Sequence, residues 1–317
     1  TEAEAEEGLG LSQHCIQVMV EVVGKLMPLV RMILRLPSLT PSSMGYFYSP
    51  ALARQVTQAL AETKFDLIFV HCSSVAQYVE NVQGIPKILD FGDMDSQKWL
   101  EYSKLRSFPL TIGYYIEGSK LQRAEKKLAE KFDYCSCTTK AEMETLRSYQ
   151  VDVPTGWFPN GVDHALFEPS SDPYEPDTIC FIGRMDYYPN QECMFDFCKN
   201  TLPLIQKKRP AAKLVIIGAN PSPEVQRLAD LPGVTVTGSV PKVQPYVLKS
   251  AVNIAPLNIA RGTQNKILES LSMGVPVVSS PQAAGGIDAV ADEHFLVAST
   301  PQEYADAILS ILEKPEF

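Results

Sequence analysis

The sequence has no long apolar run and no excess of basic residues. Its 317 residues carry 28 Lys and Arg against 37 Asp and Glu, a formal net charge of −9. No stretch reaches the roughly 18 apolar residues that a membrane-spanning helix needs. Non-specific nucleic-acid binding needs a broad basic surface, so we expect no nucleic-acid partner. At about 150 residues per domain, the length predicts two domains.

Cysteine and histidine are also sparse. The seven cysteines lack CxxC spacing and the four histidines are dispersed, which argues against a metal site and for free thiols in a reducing cytoplasm. We therefore expect neither a metal nor an organic cofactor. The chain opens with Thr1 and an acidic run rather than Met, which suggests a cut N-terminus.

Residues 16–36 are apolar with a narrow polar stripe of helical period. The stripe consists of Gln17, Glu21, Lys25, Pro28, Arg31 and Arg35. One hypothesis is a helix that makes peripheral contact with the inner membrane, since its later charges are all basic. The other, which we favour at this point, is a mostly buried helix kinked at Pro28.

Short apolar runs alternate with helical patterns along the rest of the chain, which predicts parallel α/β sheets. Residues 168–177, rich in Pro, Ser and acidic residues, predict a linker between domains 1–167 and 178–317. Two Rossmann-like domains facing across a cleft are the expected architecture. The predicted strands are 66–71, 86–91, 134–138, 153–158, 178–182, 213–217, 234–237, 252–255, 275–279 and 295–297. The predicted helices after residue 36 are 75–79, 96–104, 119–131, 140–149, 190–208, 222–230, 242–250, 263–273 and 301–313.

Glycines follow four predicted strands of the second domain, where a doubly wound sheet binds ligands. The loops contain Gly183, Gly218, Gly238 and Gly262. The last loop leads into a helix whose N-terminal amides offer a partial positive charge to a phosphate.

Charged residues accompany that helix start. Arg261 and Lys266 add positive charge, and Glu269 shares the helix face of Lys266 and can accept from two ribose hydroxyls. The alternative is an exposed Lys266–Glu269 pair without function, worth a few tenths of a kcal/mol. We favour the binding site.

Polar residues of the first domain are harder to assign. His71 ends a strand and either contacts a substrate or only caps the strand. Asp93 and Asp95 form a DxD pattern, which binds a metal and nucleotide sugar in GT-A enzymes, but we favour helix capping and acceptor-side polarity. Glu117 and Glu125 lie on a strongly charged helix and are expected to be solvated.

Longer motifs resemble the glycosyltransferases of family 4, which have the GT-B fold. The matching segments are FIGRMDYYPN (181–190), KLVIIGANP (213–221), VTVTGSVPKVQPYV (234–247), IAPLNIARGTQNKILESLSMGVPVVSS (254–280), PNGVD (159–163) and DFGDMDSQKW (90–99). Together they are most similar to the bacterial sugar transferases associated with exopolysaccharide and PEP-CTERM systems, across roughly residues 45–313.

The resemblance implies a retaining, metal-independent hexosyltransferase. It would move a sugar from a nucleotide diphosphate sugar to a polysaccharide or lipid-linked acceptor. Matched to the motifs, Arg184 and Lys266 would bind the phosphates, with His71 as the third catalytic candidate. Donor binding would involve Gly183, Gly218, Ser239, Val240, Arg261, Gly262, Thr263, Asn265 and Glu269.

The sequence also departs from the family pattern. Arg261 replaces the usual Glu eight residues before Glu269, and Pro189 replaces the family's Lys after the Gly-Arg pair. We expect the first domain to lack its opening strand and Gly-rich loop, and the C-terminal returning helix to be absent. The alternatives are therefore a non-catalytic nucleotide-binding or partner-docking relative, and a UDP-sugar epimerase of the same fold.

Overall fold

The protein is described by a computed structural model that covers residues 8–24, 26–105 and 107–313. The chain divides into two compact units, and the boundary falls between Phe158 and Pro159. Each unit contains a parallel sheet with its own apolar core.

In its described residues, the first unit has a four-stranded parallel sheet in the order β1-β2-β3-β4. Alternate strand residues such as Leu89 and Cys135 are fully buried, which explains the short apolar runs of the sequence. The strands are β1 (Ile68–His71), β2 (Lys87–Asp90), β3 (Tyr134–Cys137) and β4 (Thr155–Trp157). The α-helices are α1 (Leu26–Arg35), α2 (Ser42–Tyr46), α3 (Pro50–Glu62), α4 (Asp95–Leu105), α5 (Leu110–Ala129) and α6 (Lys140–Ser148), with 3₁₀ turns at Gly10–Gln13 and Ser73–Tyr78.

The second unit, within the described residues, has a six-stranded parallel sheet in the order β10-β9-β8-β5-β6-β7. Phe181, Ile216 and Ile254 on its central strands are fully buried. The strands are β5 (Glu175–Ile182), β6 (Lys213–Ile217), β7 (Val234–Val236), β8 (Ser250–Ala255), β9 (Val277–Ser279) and β10 (Leu296–Val297). The α-helices are α7 (Tyr188–Asp196), α8 (Leu202–Lys208), α9 (Pro223–Gln226), α10 (Gln244–Leu248), α11 (Asn265–Ser272), α12 (Pro281–Ala284) and α13 (Pro301–Glu313).

Both sheets confirm the predicted α/β class, and every predicted strand has a counterpart. The predicted helix 190–208 is interrupted by a π turn, Phe197–Thr201, just before Pro203. Proline has no amide hydrogen to continue the ladder, which accounts for the break. Helix α5 begins at Leu110 rather than Ser119. Helices α2, α3 and α12 have no counterpart among the predicted elements.

The favoured prediction of a mostly buried, kinked helix over residues 16–36 is largely wrong, whereas the membrane contact stays a prediction. Residues 16–24 are not helical, Lys25 lies outside the described residues, and α1 begins at Leu26. Pro28 is the third residue of α1, where its missing amide hydrogen breaks no helical bond, so it causes no kink. The helix is also mostly exposed rather than buried, with Leu26 71% and Leu34 70% exposed.

The boundary between the two units, after Phe158, lies earlier in the chain than the predicted linker 168–177. The Ser272 hydroxyl donates to the carbonyl of Phe167 at 2.7 Å, which ties the preceding segment to the second unit. The linker prediction also overlaps β5, because the amide of Glu175 donates to the carbonyl of Lys249 at 2.8 Å. Local composition does not reveal a hydrogen bond to a residue far away in the sequence.

None of the helices in the described ranges has the length and apolar character to span a membrane. Over the same ranges, no three or more His, Cys, Asp or Glu side chains are grouped as metal ligands. All seven cysteines are free thiols.

Candidate functional site

The strand order of the second unit reverses between β5 and β8. Later strands extend from β5 on one side and from β8 on the other, so the loops after these two strands separate at their carboxyl ends. In open α/β sheets, ligands bind in this crevice. The loop after β5 contains Gly183 and Arg184, and the loop after β8 leads to α11.

Lys266 joins the two helices, α7 and α11, that follow these loops. Its Nζ donates to Asn190 Oδ1 at 3.0 Å and lies 4.3 Å from the centre of the Phe181 ring. Burial lowers the pKa of Lys266 to about 8, although nearby Glu269 opposes the shift. The ammonium is therefore charged near neutral pH but poorly hydrated, and a bound anion would gain strongly from it.

Asn190 is the residue that the sequence analysis missed. It is 6% exposed, and its side-chain nitrogen Nδ2 donates to the main-chain carbonyl of Arg184 at 2.9 Å. One side chain thus fixes both the β5 loop and the Lys266 ammonium. The residue directly follows Pro189, which replaces the family's lysine. This position beside Pro189 was the only feature of the sequence that could have pointed to Asn190.

Arg184 is exposed and paired. Its Nε and Nη2 donate to the two carboxylate oxygens of Asp186 at 3.2 and 2.8 Å. This bidentate pair lowers the pKa of Asp186. The acid orients the guanidinium and offsets part of its charge, so Lys266 is the stronger cation for a phosphate at this site.

The helix α11 begins without a side-chain cap. The side chain of its N-cap residue, Gln264, makes no capping hydrogen bond, and the Ile267 amide donates to the Gln264 carbonyl at 2.9 Å. The helix dipole and the amides of Asn265 and Lys266 are what the helix start offers to an anion. Beside them, Thr263 Oγ1 is buried and has no hydrogen-bond partner in the described part of the chain. The Asn265 Oδ1 accepts from Asn160 Nδ2 at 3.0 Å.

A buried polar pair, Asn253 on β8 and Ser270 on α11, sets the position of the helix. Asn253 is fully buried, and its side-chain nitrogen Nδ2 donates to Ser270 Oγ at 2.8 Å and to the main-chain carbonyl of Lys266 at 3.3 Å. Ser270 in turn donates to the carbonyl of Lys266 at 2.8 Å. The helix is therefore oriented by specific hydrogen bonds in addition to the burial of Ile267.

Glu269 is half-buried one turn into α11. Its carboxylate accepts no hydrogen bond from any residue that the structure describes. Burial raises the pKa of Glu269, against the opposing effect of Lys266. The Lys266 ammonium donates to Asn190 rather than to this carboxylate, so the alternative of an exposed Lys266–Glu269 pair is wrong.

Two glycines allow main chain to pack directly on main chain. A Cβ on Gly218 would lie 1.7 Å from the carbonyl oxygen of Gly183, and one on Gly286 would lie 1.8 Å from that of Gly262. Gly218 was predicted as a site residue, whereas Gly286 was missed because its partner lies on another loop. The second contact supports the segment that contains Arg261, Gly262 and Thr263.

Ser239 and Val240 follow β7, on the other side of β5 from β8. Ser239 is exposed, whereas Val240 is half-buried and packs against the apolar cluster that contains Ile182 and Ile217. Their predicted place beside the donor's base stays a prediction.

In the first unit, His71 ends β1 and Asp90 ends β2. His71 Nδ1 lies 2.7 Å from Asp90 Oδ2, and Ser136 Oγ donates to Asp90 Oδ1 at 2.9 Å. Asp90 is 3% exposed, while the His71 side chain is 62% exposed. A buried carboxylate thus orients an exposed imidazole, which goes beyond the strand cap considered from sequence.

Asp93 and Asp95 have different partners. Asp93 Oδ1 accepts from Thr138 Oγ1 at 2.9 Å, and Asp95 Oδ2 accepts from Ser73 Oγ at 3.3 Å. Burial raises the pKa of Asp95. Neither bond is a helix cap, and the two residues belong to no metal-binding group among the described residues.

The start of α4 is instead held by glutamates from later helices. Ser96 donates its amide to Glu125 Oε1 at 2.8 Å and its hydroxyl to Oε2 at 2.5 Å. The Met94 amide donates to Glu142 Oε2 at 2.9 Å. Glu125 is fully buried and Glu117 6% exposed, so their predicted solvation is wrong.

The second unit also matches a known family. Residues 176–314 match the model of the family described as "Glycosyl transferases group 1". No curated protein matches the sequence.

Several solved structures have a similar fold. Sucrose-phosphate synthase from Thermosynechococcus elongatus is 18% identical with a TM-score of 0.66, over 84% of this chain and 69% of that one. HepE from Anabaena, in complex with UDP, is 15% identical with a TM-score of 0.66, over 96% and 79%. The pneumococcal O-GlcNAc transferase GtfA, with UDP and GlcNAc, is 15% identical with a TM-score of 0.61, over 83% and 53%.

These likenesses identify the fold as GT-B, with a parallel sheet in each of its two α/β units. The chain spans only about half of GtfA.

Proposed function

We propose that the chain is a retaining hexosyltransferase that uses a nucleotide diphosphate sugar, with UDP as the leaving group. The observation that carries this proposal is the start of α11. Amides without a side-chain cap, the Thr263 hydroxyl and the Lys266 ammonium lie next to one another there, with the Glu269 carboxylate one turn further on. Among the described residues, neither that hydroxyl nor that carboxylate has a hydrogen-bond partner.

The diphosphate would lie on the α11 amides and Lys266. As the glycosidic bond to the donor phosphate breaks, negative charge accumulates on the diphosphate oxygens. An oriented helix terminus and a poorly hydrated ammonium stabilise such charge without the reorganisation that water would need. The positive charge comes from the protein, so the proposal includes no metal or other cofactor. Arg184, oriented by Asp186, adds a second cation.

The ribose would be bound by Glu269. An ionised carboxylate accepts hydrogen bonds from two neighbouring hydroxyls and does not donate to them, which matches a ribose diol. The base would lie beside Ser239 and Val240. HepE and GtfA, which share the fold, are described in complex with UDP, and HepE also with UDP-glucose. This is the support for a uridine base.

The acceptor would be bound by the first unit. The carboxyl ends of its strands present His71, oriented by buried Asp90, and the exposed carboxylate of Asp93. These groups hydrogen-bond hydroxyls well, in keeping with a saccharide acceptor that is free or carried on a lipid. If the acceptor hydroxyl attacks the sugar's anomeric carbon from the same face from which UDP departs, the anomeric configuration is retained. The resemblance to bacterial exopolysaccharide enzymes supports a cytoplasmic reaction of this type.

The proposal is tested by calorimetric binding of UDP, GDP and ADP to the chain and to Glu269→Ala. We expect UDP to bind best and the variant to lose about 1–3 kcal/mol of binding free energy, the loss expected for a charged hydrogen-bond partner. A nucleotide without the 2′- and 3′-hydroxyls serves as the matched control, since it should bind both proteins equally.

Two results would count against the proposal. If Glu269→Ala binds UDP as tightly as the parent chain, Glu269 does not bind the ribose. If UDP binds in the expected way but no UDP-sugar is turned over with saccharide acceptors, the chain is a nucleotide-binding relative rather than a transferase.

A further inference from the structure

Two neighbouring segments of the first unit expose most of their large apolar side chains. We name residues 26–36 and 108–116 the apolar platform. Nine of its large apolar residues are more than half exposed, among them Leu26 (71%), Leu34 (70%), Phe108 (79%) and Tyr115 (60%). Soluble monomers rarely expose apolar patches beyond a few hundred Å², so this concentration indicates a binding surface.

Specific contacts join the two segments. Lys120 Nζ donates to the carbonyls of Arg35 and Leu36 at 3.1 and 2.8 Å, which attaches the end of α1 to α5. Ile112 and Ile116 precede Lys120 by two turns and one turn, so they lie on the same stripe of α5. Lys120 therefore places the end of α1 against the side of α5 that also carries Ile112 and Ile116.

A second contact fixes α5 to the helix that follows α1. The Ser43 amide and hydroxyl both donate to Glu117 Oε1 at 2.8 Å. Glu117 is 6% exposed, so the first acidic side chain after the platform is buried and paired. Glu117 is therefore not part of the exposed surface of the platform.

Charge in this part of the chain has the opposite sign to the whole protein. The sequence has four Lys and Arg but no Asp or Glu at positions 22–61. It has Lys104 and Arg106 but no acidic residue at positions 102–116. The remainder must therefore be strongly acidic, since the whole chain has a net charge of −9.

The geometry points to an anionic lipid surface as the occupant. We propose that the apolar platform inserts among the headgroups of a bilayer that contains anionic lipids. A helix with exposed apolar residues and nearby cations lies in the plane of such an interface. Phe108 and Tyr115 are of the aromatic class that is enriched there.

A second copy of the chain fits this surface less well. In a two-fold dimer the same patch meets itself, so the cations of one copy would face those of the other. No charge complementarity would compensate for their repulsion, whereas phosphate headgroups provide it. The donor site belongs to the other unit, so the inference does not depend on the proposed function.

The test is cosedimentation of the full chain with vesicles of phosphatidylglycerol and phosphatidylethanolamine, compared with phosphatidylcholine vesicles. We expect at least tenfold tighter partition onto the anionic vesicles, reduced at 0.5 M salt. The double variant Leu34→Glu, Phe108→Ser should partition at least tenfold more weakly. Val290→Glu is the matched control, because Val290 is 54% exposed in the second unit, and it should partition like the parent chain.

Both variants replace exposed side chains, and circular dichroism and thermal unfolding establish that each is folded. Equal partition of the double variant and the parent chain would overturn the proposal, as would no partition onto any vesicle. A dimer in analytical ultracentrifugation that the double variant abolishes would also overturn it, in favour of a second copy. Loss of vesicle binding with intact UDP binding separates this inference from the proposed function.

Discussion

The Lys266 ammonium donates to the side-chain oxygen Oδ1 of Asn190 at 3.0 Å, and this hydrogen bond links the first turn of α7 to the first turn of α11. The side-chain nitrogen Nδ2 of Asn190 donates to the main-chain carbonyl of Arg184, so the side-chain oxygen is directed at the lysine. A neutral partner positions the cation without cancelling its charge. A carboxylate at residue 190 would instead compete with any anionic ligand.

The first prediction concerns pH. Because burial lowers the pKa of Lys266 to about 8, UDP affinity should fall as the pH rises from 7 to 9 and the ammonium loses its proton. Lys266→Met should bind UDP about tenfold or more weakly at pH 7, with little change up to pH 9. Calorimetric titrations at several pH values measure both. A parent chain whose affinity is constant over this range would show that Lys266 does not contact the diphosphate.

The same substitution should change the stability of the unliganded chain. The pKa of Lys266 in the fold is below that in the unfolded chain, so the charged lysine destabilises the fold at neutral pH. Lys266→Met should therefore raise the free energy of unfolding at pH 7 by about 1–3 kcal/mol. A variant that is more stable but binds UDP worse would identify the lysine as retained for binding. Denaturant unfolding provides the measurement.

A second prediction concerns the support of the α11 loop. Gly286→Ala would place a methyl group 1.8 Å from the Gly262 carbonyl oxygen, so the loop must move. We expect a loss of about 1–3 kcal/mol in stability and at least tenfold in UDP affinity. Gly285→Ala is the matched control, since its Cβ would lie 3.5 Å from the nearest atom, the Pro281 carbonyl oxygen. If the two variants behave alike, the contact does not position the loop.

A third prediction separates the two units. Asp90→Asn removes the charge that orients His71 but lies outside the second unit. Transfer to an acceptor should fall by about 10²-fold or less, within the usual range for lost proton-transfer or orienting groups. UDP affinity and the donor KM should stay unchanged. His71→Gln should reproduce this pattern, and a rise in donor KM in either variant would contradict an acceptor-side role.

The fourth prediction concerns stability. Burial raises the pKa of Glu125 to about 7, well above its ordinary value of 4.5. The folded chain therefore binds this proton more tightly than the unfolded chain. The resulting stabilisation is full below about pH 4.5 and is lost as the pH rises through about 7. Its loss should lower the free energy of unfolding by about 2–3 kcal/mol.

Glu125→Gln tests this account, because the amide keeps an oxygen for the Ser96 amide but does not titrate. Over pH 5–8, the difference in unfolding free energy between variant and parent should shift in favour of the variant. Thermal or urea unfolding at several pH values measures it. A difference that is constant with pH would show that Glu125 is ionised in the fold throughout this range.

Much of the fold could be predicted because its signals are local. Buried parallel strands appear as short apolar runs, and the start of α11 appears as glycine and cations before a helical pattern. The partner of Lys266 could not be predicted in this way. Asn190 reaches the Lys266 ammonium only because the chain turns back after β5. The two residues are 76 positions apart, and no periodic pattern in the sequence connects them.

The errors have a related cause. The pattern of α5 predicts a solvated charged face, yet Glu117 and Glu125 are buried because amides at the starts of other helices supply their hydrogen bonds. The pattern of residues 16–36 predicted a largely buried helix, yet α1 contributes an exposed platform. Burial depends on which elements meet, and periodicity along one element does not determine that.

The contact between Gly262 and Gly286 has a consequence for how donor preference can change. This main-chain contact does not depend on which side chains the loop carries, whereas the Gln264 side chain helps to hold the loop by donating to the Arg261 carbonyl at 3.0 Å. Substitutions at Arg261 could therefore alter what a sugar or base meets in the proposed site while the contact between Gly262 and Gly286 stays in place. New specificity can arise here, by evolution or by engineering, without rebuilding the anion site.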